Sequence, residues 1–141
     1  MKANELMLGD YLRLKASGIP VVVHAIDYDN NISNKHVVDF FFCEGECSGE
    51  ARYNYQLDDF EPIPLTPEIL EKNGFVWNTY HNSLQLVCGS THIGWGFYPN
   101  CLSVSDWADD ANNQISSLNC KFVHELQHAL RLCGIEKEIE L

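Results

Sequence analysis

The chain is poor in positive charge. Its 141 residues hold nine Lys and Arg against twenty Asp and Glu, a formal charge of −11. That deficit argues against direct binding to DNA or RNA, or to an anionic membrane, by charge alone. Long apolar runs are missing too. No stretch approaches the roughly 18 apolar residues of a membrane-spanning helix. The opening MKANELMLGDYL has no apolar segment of signal-peptide length. A cytoplasmic protein without a membrane partner is expected. No P-loop and no dinucleotide glycine fingerprint occurs. Ser90-Thr91-His92 after Gly89 lacks the pattern of a nucleophile elbow. The one close cysteine pair, Cys43-Glu-Gly-Glu-Cys47, has three residues between its members, not the redox two. No second pair completes a four-ligand zinc site. With Cys88, Cys101, Cys120 and Cys133, these cysteines are expected as thiols that pack like small apolar residues. No cofactor is expected.

What is present suits a folded chain. Apolar residues make up 45% and aromatics 11%, enough for a core and too many for wholesale disorder. The length fits one domain or two small ones. Residues 8–62 read as β. Tyr11–Leu14, Val21–Ile26, Val37–Cys43, Ala51–Tyr55 and Asp58–Ile63 are short segments rich in Val, Ile, Phe and Tyr. Turn compositions separate them, Asp27–Asn34 being a polar hairpin tip. Five short strands in about 55 residues fit a small, strongly bent barrel of SH3-like type. His24, between Val22 and Ile26, reads as a core or edge histidine with a satisfied ring.

Pro62 and Pro64 then hold the backbone extended. A helix follows over 67–73. Thr66 caps it, Pro67 takes the first position and Glu68 faces the positive end of the dipole. Gly74 ends it and Phe75 folds back on Leu70. Strands occupy residues 75–105. There Ile93, Trp95 and Phe97 alternate with His92, Gly94 and Gly96, whose bare side calls for a bulge or a covering helix. Asp106–Asn113 is an acidic loop. The last helix spans 121–133, with Ser116, Ser117 or Asn119 as its cap and Gly134-Ile135 as its stop. The tail Glu136–Leu141 suits an edge strand. The fold class is therefore α+β: an SH3-like barrel over 1–61, then an α+β unit over 62–141.

One motif carries catalytic chemistry. His124-Glu125-Leu126-Gln127-His128 matches H-E-x-x-H. On a helix its two imidazoles can share a zinc ion while the glutamate activates a bound water. Facing argues against that. At roughly 100° per residue, Val123, Leu126, Ala129, Leu130 and Cys133 cluster on one side, with His124 and His128 nearly opposite. The helix is expected to bury the aliphatic stripe and leave both imidazoles in water. A third ligand is not announced either. Arg131 and Gly134 stand where an extended metzincin motif has Gly and His, and neither His81, His92 nor an upstream Cys has a telling spacing. Asp58, Asp59 and Glu61, like Asp106, Asp109 and Asp110, lack a calcium-loop spacing.

Two blocks carry a resemblance: Glu61–Phe75 (EPIPLTPEILEKNGF) and Phe122–Leu130 (FVHELQHAL), with the opening Met1–Leu6 and Gly9-Asp10-Tyr11. They resemble a group of small proteins carried by gut-bacterial, Bacteroidetes-type genomes and their phages and mobile elements. The group implies no known activity. Its members commonly have Asn at the position of His128. The resemblance thus implies that His128 is a departure and the zinc motif an accident of this chain. It also implies that Val123, Leu126 and Leu130 pack the helix on a sheet.

The expected function is that of a non-catalytic accessory protein of a phage or mobile element that binds another protein. Tyr53, Tyr55, Trp77 and Tyr98 are candidate contact aromatics, while Trp95 reads as core. A zinc hydrolase using His124, His128 and Glu125 is the alternative. A third reading is an acidic mimic of DNA, which needs an unbroken stripe of carboxylates.

Overall fold

The computed structural model describes residues 1–29, 35–96, 100–106 and 113–141, the side chains of 29, 106 and 113–118 excepted. The chain divides into two compact units, Met1–Ile63 and Pro64–Leu141. The boundary expected after Glu61 would cut a strand, because Pro62 still pairs with Leu12.

The first unit is an antiparallel sheet of β1 (Tyr11–Leu14), β2 (Pro20–Asp29), β3 (Lys35–Phe42), β4 (Ala51–Gln56) and β5 (Phe60–Pro62), in the order β4-β3-β2-β1-β5. The expected closure into a barrel is not formed. β4 and β5 are the two edges and do not pair with each other. The segment expected to run as one strand from Asp58 begins instead with a 3-10 turn, Leu57–Asp59. Asp59 Oδ2 holds that turn by accepting from Gln56 N at 2.9 Å. This leaves β5 only three residues long.

Phe40 is fully buried at the middle of the core, edge-on to Phe42, Tyr55 and Phe60 at 5.0–5.3 Å between ring centres. Leu12, Leu14, Val21, Val23 and Val38 complete it. Register shifts at Val23/Ala25 and Val38/Phe40 bend the sheet around this cluster. The first shift overturns the expectation for His24. As the extra residue of the bulge, it turns outward and lies exposed against Phe41, 4.7 Å between ring centres.

The second unit carries α1 (Pro67–Lys72), a meander of β6 (Val76–Asn78), β7 (Ser83–Cys88), β8 (Thr91–Gly96), β9 (Cys101–Asp106) and β10 (Asn113–Asn119), and α2 (Val123–Leu132). Both helices stop by one device. Phe75 N donates to Leu70 O at 3.0 Å, and Ile135 N to Leu130 O at 2.9 Å. Gly74 and Gly134 supply the positive φ, 80° and 70°, that each reversal needs. Thr66 Oγ1 accepts from Ile69 N, as the sequence announces. Hydrogen bonding to Thr66 holds the exposed Glu68 carboxyl below its ordinary value.

Register places Trp77, Leu84, Leu86, Ile93, Trp95, Leu102 and Val104 on one face of the sheet. Most of them are buried, as are Leu70, Phe75, Val123, Leu126 and Leu130. Trp95 belongs to this interior and donates its indole N–H to Cys120 O at 3.0 Å.

Over β8 and β9 the opposite face is polar, and β8 pairs on both sides in regular register, with no bulge at Gly94. Ser103 Oγ donates to Gly94 O at 3.3 Å, and a Cβ on Gly94 would lie 3.0 Å from that hydroxyl. The glycine exists because a serine uses its space. The tail is not an edge strand either. Ile139 is buried, and Asn73, 1% exposed, clamps the segment. Its Nδ2 donates to Ile69 O (2.7 Å) and Glu140 O (2.8 Å), while Oδ1 accepts from Glu140 N (3.0 Å).

Two outcomes are expected. Asn73→Ala lowers unfolding stability by about 2–3 kcal/mol in urea titration, because it strands buried backbone groups at both ends. Gly94→Ala costs about 1 kcal/mol alone and much less in a Ser103→Ala background, a coupling that a double-mutant cycle reads directly.

Candidate functional site

Two places in the second unit were open to chemistry or binding: the histidine pair on α2 and the β6–β7 edge. α2 begins where Leu65 N donates to Lys121 O at 2.8 Å. The caps expected at Ser116, Ser117 or Asn119 are not used. β10 carries the chain extended through Asn119, and Phe122 is the N-cap residue. The capping acceptor comes from within the helix. Glu125 Oε2 accepts from Lys121 N (2.6 Å) and Phe122 N (3.1 Å).

The facing of α2 corrects the expectation of two solvated imidazoles. Val123, Leu126, Ala129 and Leu130 are buried as anticipated, but so are His124 and Gln127. His124 is only 5% exposed and His128 is half-buried. The buried arc takes in most of the helix circumference, so a single aliphatic stripe does not describe it. Cys133, expected in that stripe, is half-buried at the end of the helix. The His124 ring stacks parallel on Phe122 at 5.8 Å and meets His128 edge-on at 5.9 Å. Among the described residues no group of three or more His, Cys, Asp or Glu is placed to hold a metal ion.

The remaining candidates are dispersed. His36 lies edge-on to Tyr28, and His81 edge-on to Tyr80. None of the six cysteines is in a disulfide. Burial pushes the Cys120 thiol up to about 12, so it stays protonated and suits neither a nucleophile nor a metal ligand. A thiol raised in the folded state stabilises below its ordinary value near 9, and that contribution fades as pH climbs toward 12.

At least five of the twenty acidic residues bind backbone N–H groups. Glu5, Asp10, Asp59 and Glu125 each accept from the N–H three residues earlier, at 2.7–3.1 Å. Asp39 accepts from Asn54 N at 2.8 Å. Asp109, Asp110 and Tyr98 lie outside the described residues.

The β6–β7 edge collects exposed apolar side chains. Val76 (69%) and Val87 (55%) flank Gln85 on the outer face. Trp77, on the other face, is partly out of the interior at the sheet edge. Tyr80 projects from the turn at 89% exposure. Asn78 organises that turn, its Oδ1 accepting from Tyr80 N (2.9 Å) and His81 N (3.2 Å) and its Nδ2 donating to Gln85 Oε1 (2.9 Å). β6 pairs only with Ser83–Gln85 of β7. Where it ends, a groove of about 510 Å³ opens, lined by Gly74, Val76, Trp77, Gln85, Leu86 and Val87 among others.

Sequence reasoning named Trp77 but missed its neighbours. The alternation in which Leu84 and Leu86 face inward already turned Val87 outward. Tyr55 is instead part of the first unit's interior, against Phe40 and Phe60, while Tyr53 is exposed. Compared with protein-family models, with curated proteins and with solved structures, the chain matches none.

Glu125→Ala is expected to lower stability by about 1 kcal/mol in thermal or urea unfolding. Glu125→Gln, whose amide oxygen still accepts at the third helical position, is expected to lose less.

Proposed function

We propose that the chain is a non-catalytic accessory protein of a phage or mobile element, acting in the cytoplasm by binding another protein. The observation that carries this reading is the β6–β7 edge. Val76, Trp77, Tyr80 and Val87 together leave apolar and aromatic surface in water beside a groove, at an edge strand only three residues long. Exposed aromatics beside a concavity are the usual anchors of a protein interface. A sheet edge also offers backbone groups to an added strand. The shortage of Lys and Arg, with nine in the chain, supports a protein partner over nucleic acid. Among the described residues no helix is long and apolar enough to cross a membrane. Glu5, Asp10, Asp39, Asp59 and Glu125, five of the twenty acids, accept from nearby backbone N–H groups, which weighs against their serving in an outward stripe that mimics DNA.

For the first unit we favour an SH3-like reading. It is supported by the strand order β4-β3-β2-β1-β5, by the long bent β2 and by the 3-10 turn just before β5.

A photo-crosslinking amino acid at Tyr80 or Val87 is the test, expressed in the native host with the same label at Tyr28 as a control. One discrete protein adduct is expected from the β6–β7 positions and none from Tyr28. With the label at Val87, Val76→Ala with Tyr80→Ala, two mostly exposed side chains, is expected to lower capture at least about tenfold with little change in the unfolding midpoint. Equal adducts from all three positions, or none, would refute the reading.

A further inference from the structure

We propose that His124 and His128 form a two-imidazole binding site for a borderline transition-metal ion such as zinc, and that the site is not hydrolytic. The two residues are one helical turn apart on α2, and their ring centres lie 5.9 Å apart, with the rings edge-on at 73°. A tetrahedral zinc ion holds each nitrogen at about 2.0–2.1 Å, which puts two such ring centres roughly 5 Å apart. The spacing of the ring centres is within about 1 Å of that, and rotation about the side-chain torsions aims the nitrogens at a shared ion.

The two rings differ usefully. His124 is buried and stacked parallel on Phe122, so its plane is set before any ion arrives. His128 is half-buried and opens the pair to solvent. Imidazole suits zinc, copper and nickel, and two from one helix turn bind as a chelate. Among the described residues no third His, Cys, Asp or Glu is placed to join them. Water, or a donor brought by a partner, completes the coordination.

Glu125 sets the limit on the chemistry. In a hydrolytic site this glutamate would take a proton from metal-bound water. Here the same carboxylate oxygen accepts from both Lys121 N and Phe122 N and caps the start of the helix. It is engaged with the backbone that precedes the histidines.

The test uses the full chain without an affinity tag and zinc chloride as the probe. Calorimetric titration near neutral pH is expected to show one equivalent bound and reversed by a chelator. His128→Asn is expected to weaken binding at least about tenfold while leaving the metal-free melting temperature unchanged. His81→Asn, at an exposed histidine elsewhere, should leave binding intact. Zinc uptake unchanged in His128→Asn, or none by the wild-type chain, would overturn the site. If His128→Asn fails to fold, copper(II) bound to the wild type decides. Electron paramagnetic resonance showing two equatorial nitrogens supports the pair, and a heterogeneous or single-nitrogen signal sinks it.

Discussion

A single buried amide holds the second unit's ends in place. Asn73 follows α1 and is almost wholly out of water, which is costly for a side chain with two donors and two acceptor sites. It is tolerated because its partners are backbone: the Ile69 carbonyl on its own helix, and both polar groups of Glu140. The exchange with Glu140 has the form of one rung of a β-ladder, made by a side chain. It brings the tail against α1 and with it buries Ile139. Aspartate in its place would lack the donor, and leucine would leave both Glu140 groups unsatisfied. The tail's residues show no continuous strand pattern that could replace this tie, and beside it Lys72 Nζ, from the last turn of α1, donates to Leu141 O.

The negative charge of the chain has a similar local logic. A charge of −11 distributed outward would repel itself and oppose compaction. Instead, Glu5, Asp10, Asp59 and Glu125 each turn back on the backbone N–H three residues upstream. Each does so at the start of a turn or helix, where N–H groups lack partners and the partial charge is positive. Charge-assisted bonds of this kind are stronger than neutral ones. The acids are therefore partly structural, and their number alone says little about a basic partner.

What the sequence made legible was mostly local chemistry. Thr66-Pro67 starts a helix, Gly74-Phe75 and Gly134-Ile135 stop two, and Tyr11–Leu14 is found as a strand at its expected bounds, because neighbours in sequence decide each of these. Properties set across the fold were not legible. The bulge that turns His24 outward depends on its pairing with β3. The open order β4-β3-β2-β1-β5 depends on how short β5 becomes after a 3-10 turn. Gly94 is explained by Ser103, nine residues away on the next strand. The facing of α2 failed for a related reason. Periodicity identifies the most apolar stripe, but a ten-residue helix can bury a wider arc than that stripe, and the histidine beside it goes in too.

The β6–β7 edge breaks the pattern of economy seen elsewhere. A short edge strand is a common way to limit unwanted pairing, and charge is the other. β6 uses the first device and omits the second: Val76-Trp77-Asn78 carries no charge, and its neighbours across the ladder are Gln85, Leu84 and Ser83. In a chain with twenty acidic residues, none is placed on this strand pair from Val76 to Cys88. Neutral, aromatic and organised by Asn78, the edge has what a specific contact needs and little of what keeps a surface unpartnered. The histidine pair on α2 poses a separate question, because coordination there would draw on ring geometry and owes nothing to the apolar edge. The two features can therefore fail or stand independently, one by contact with a protein, the other by uptake of an ion.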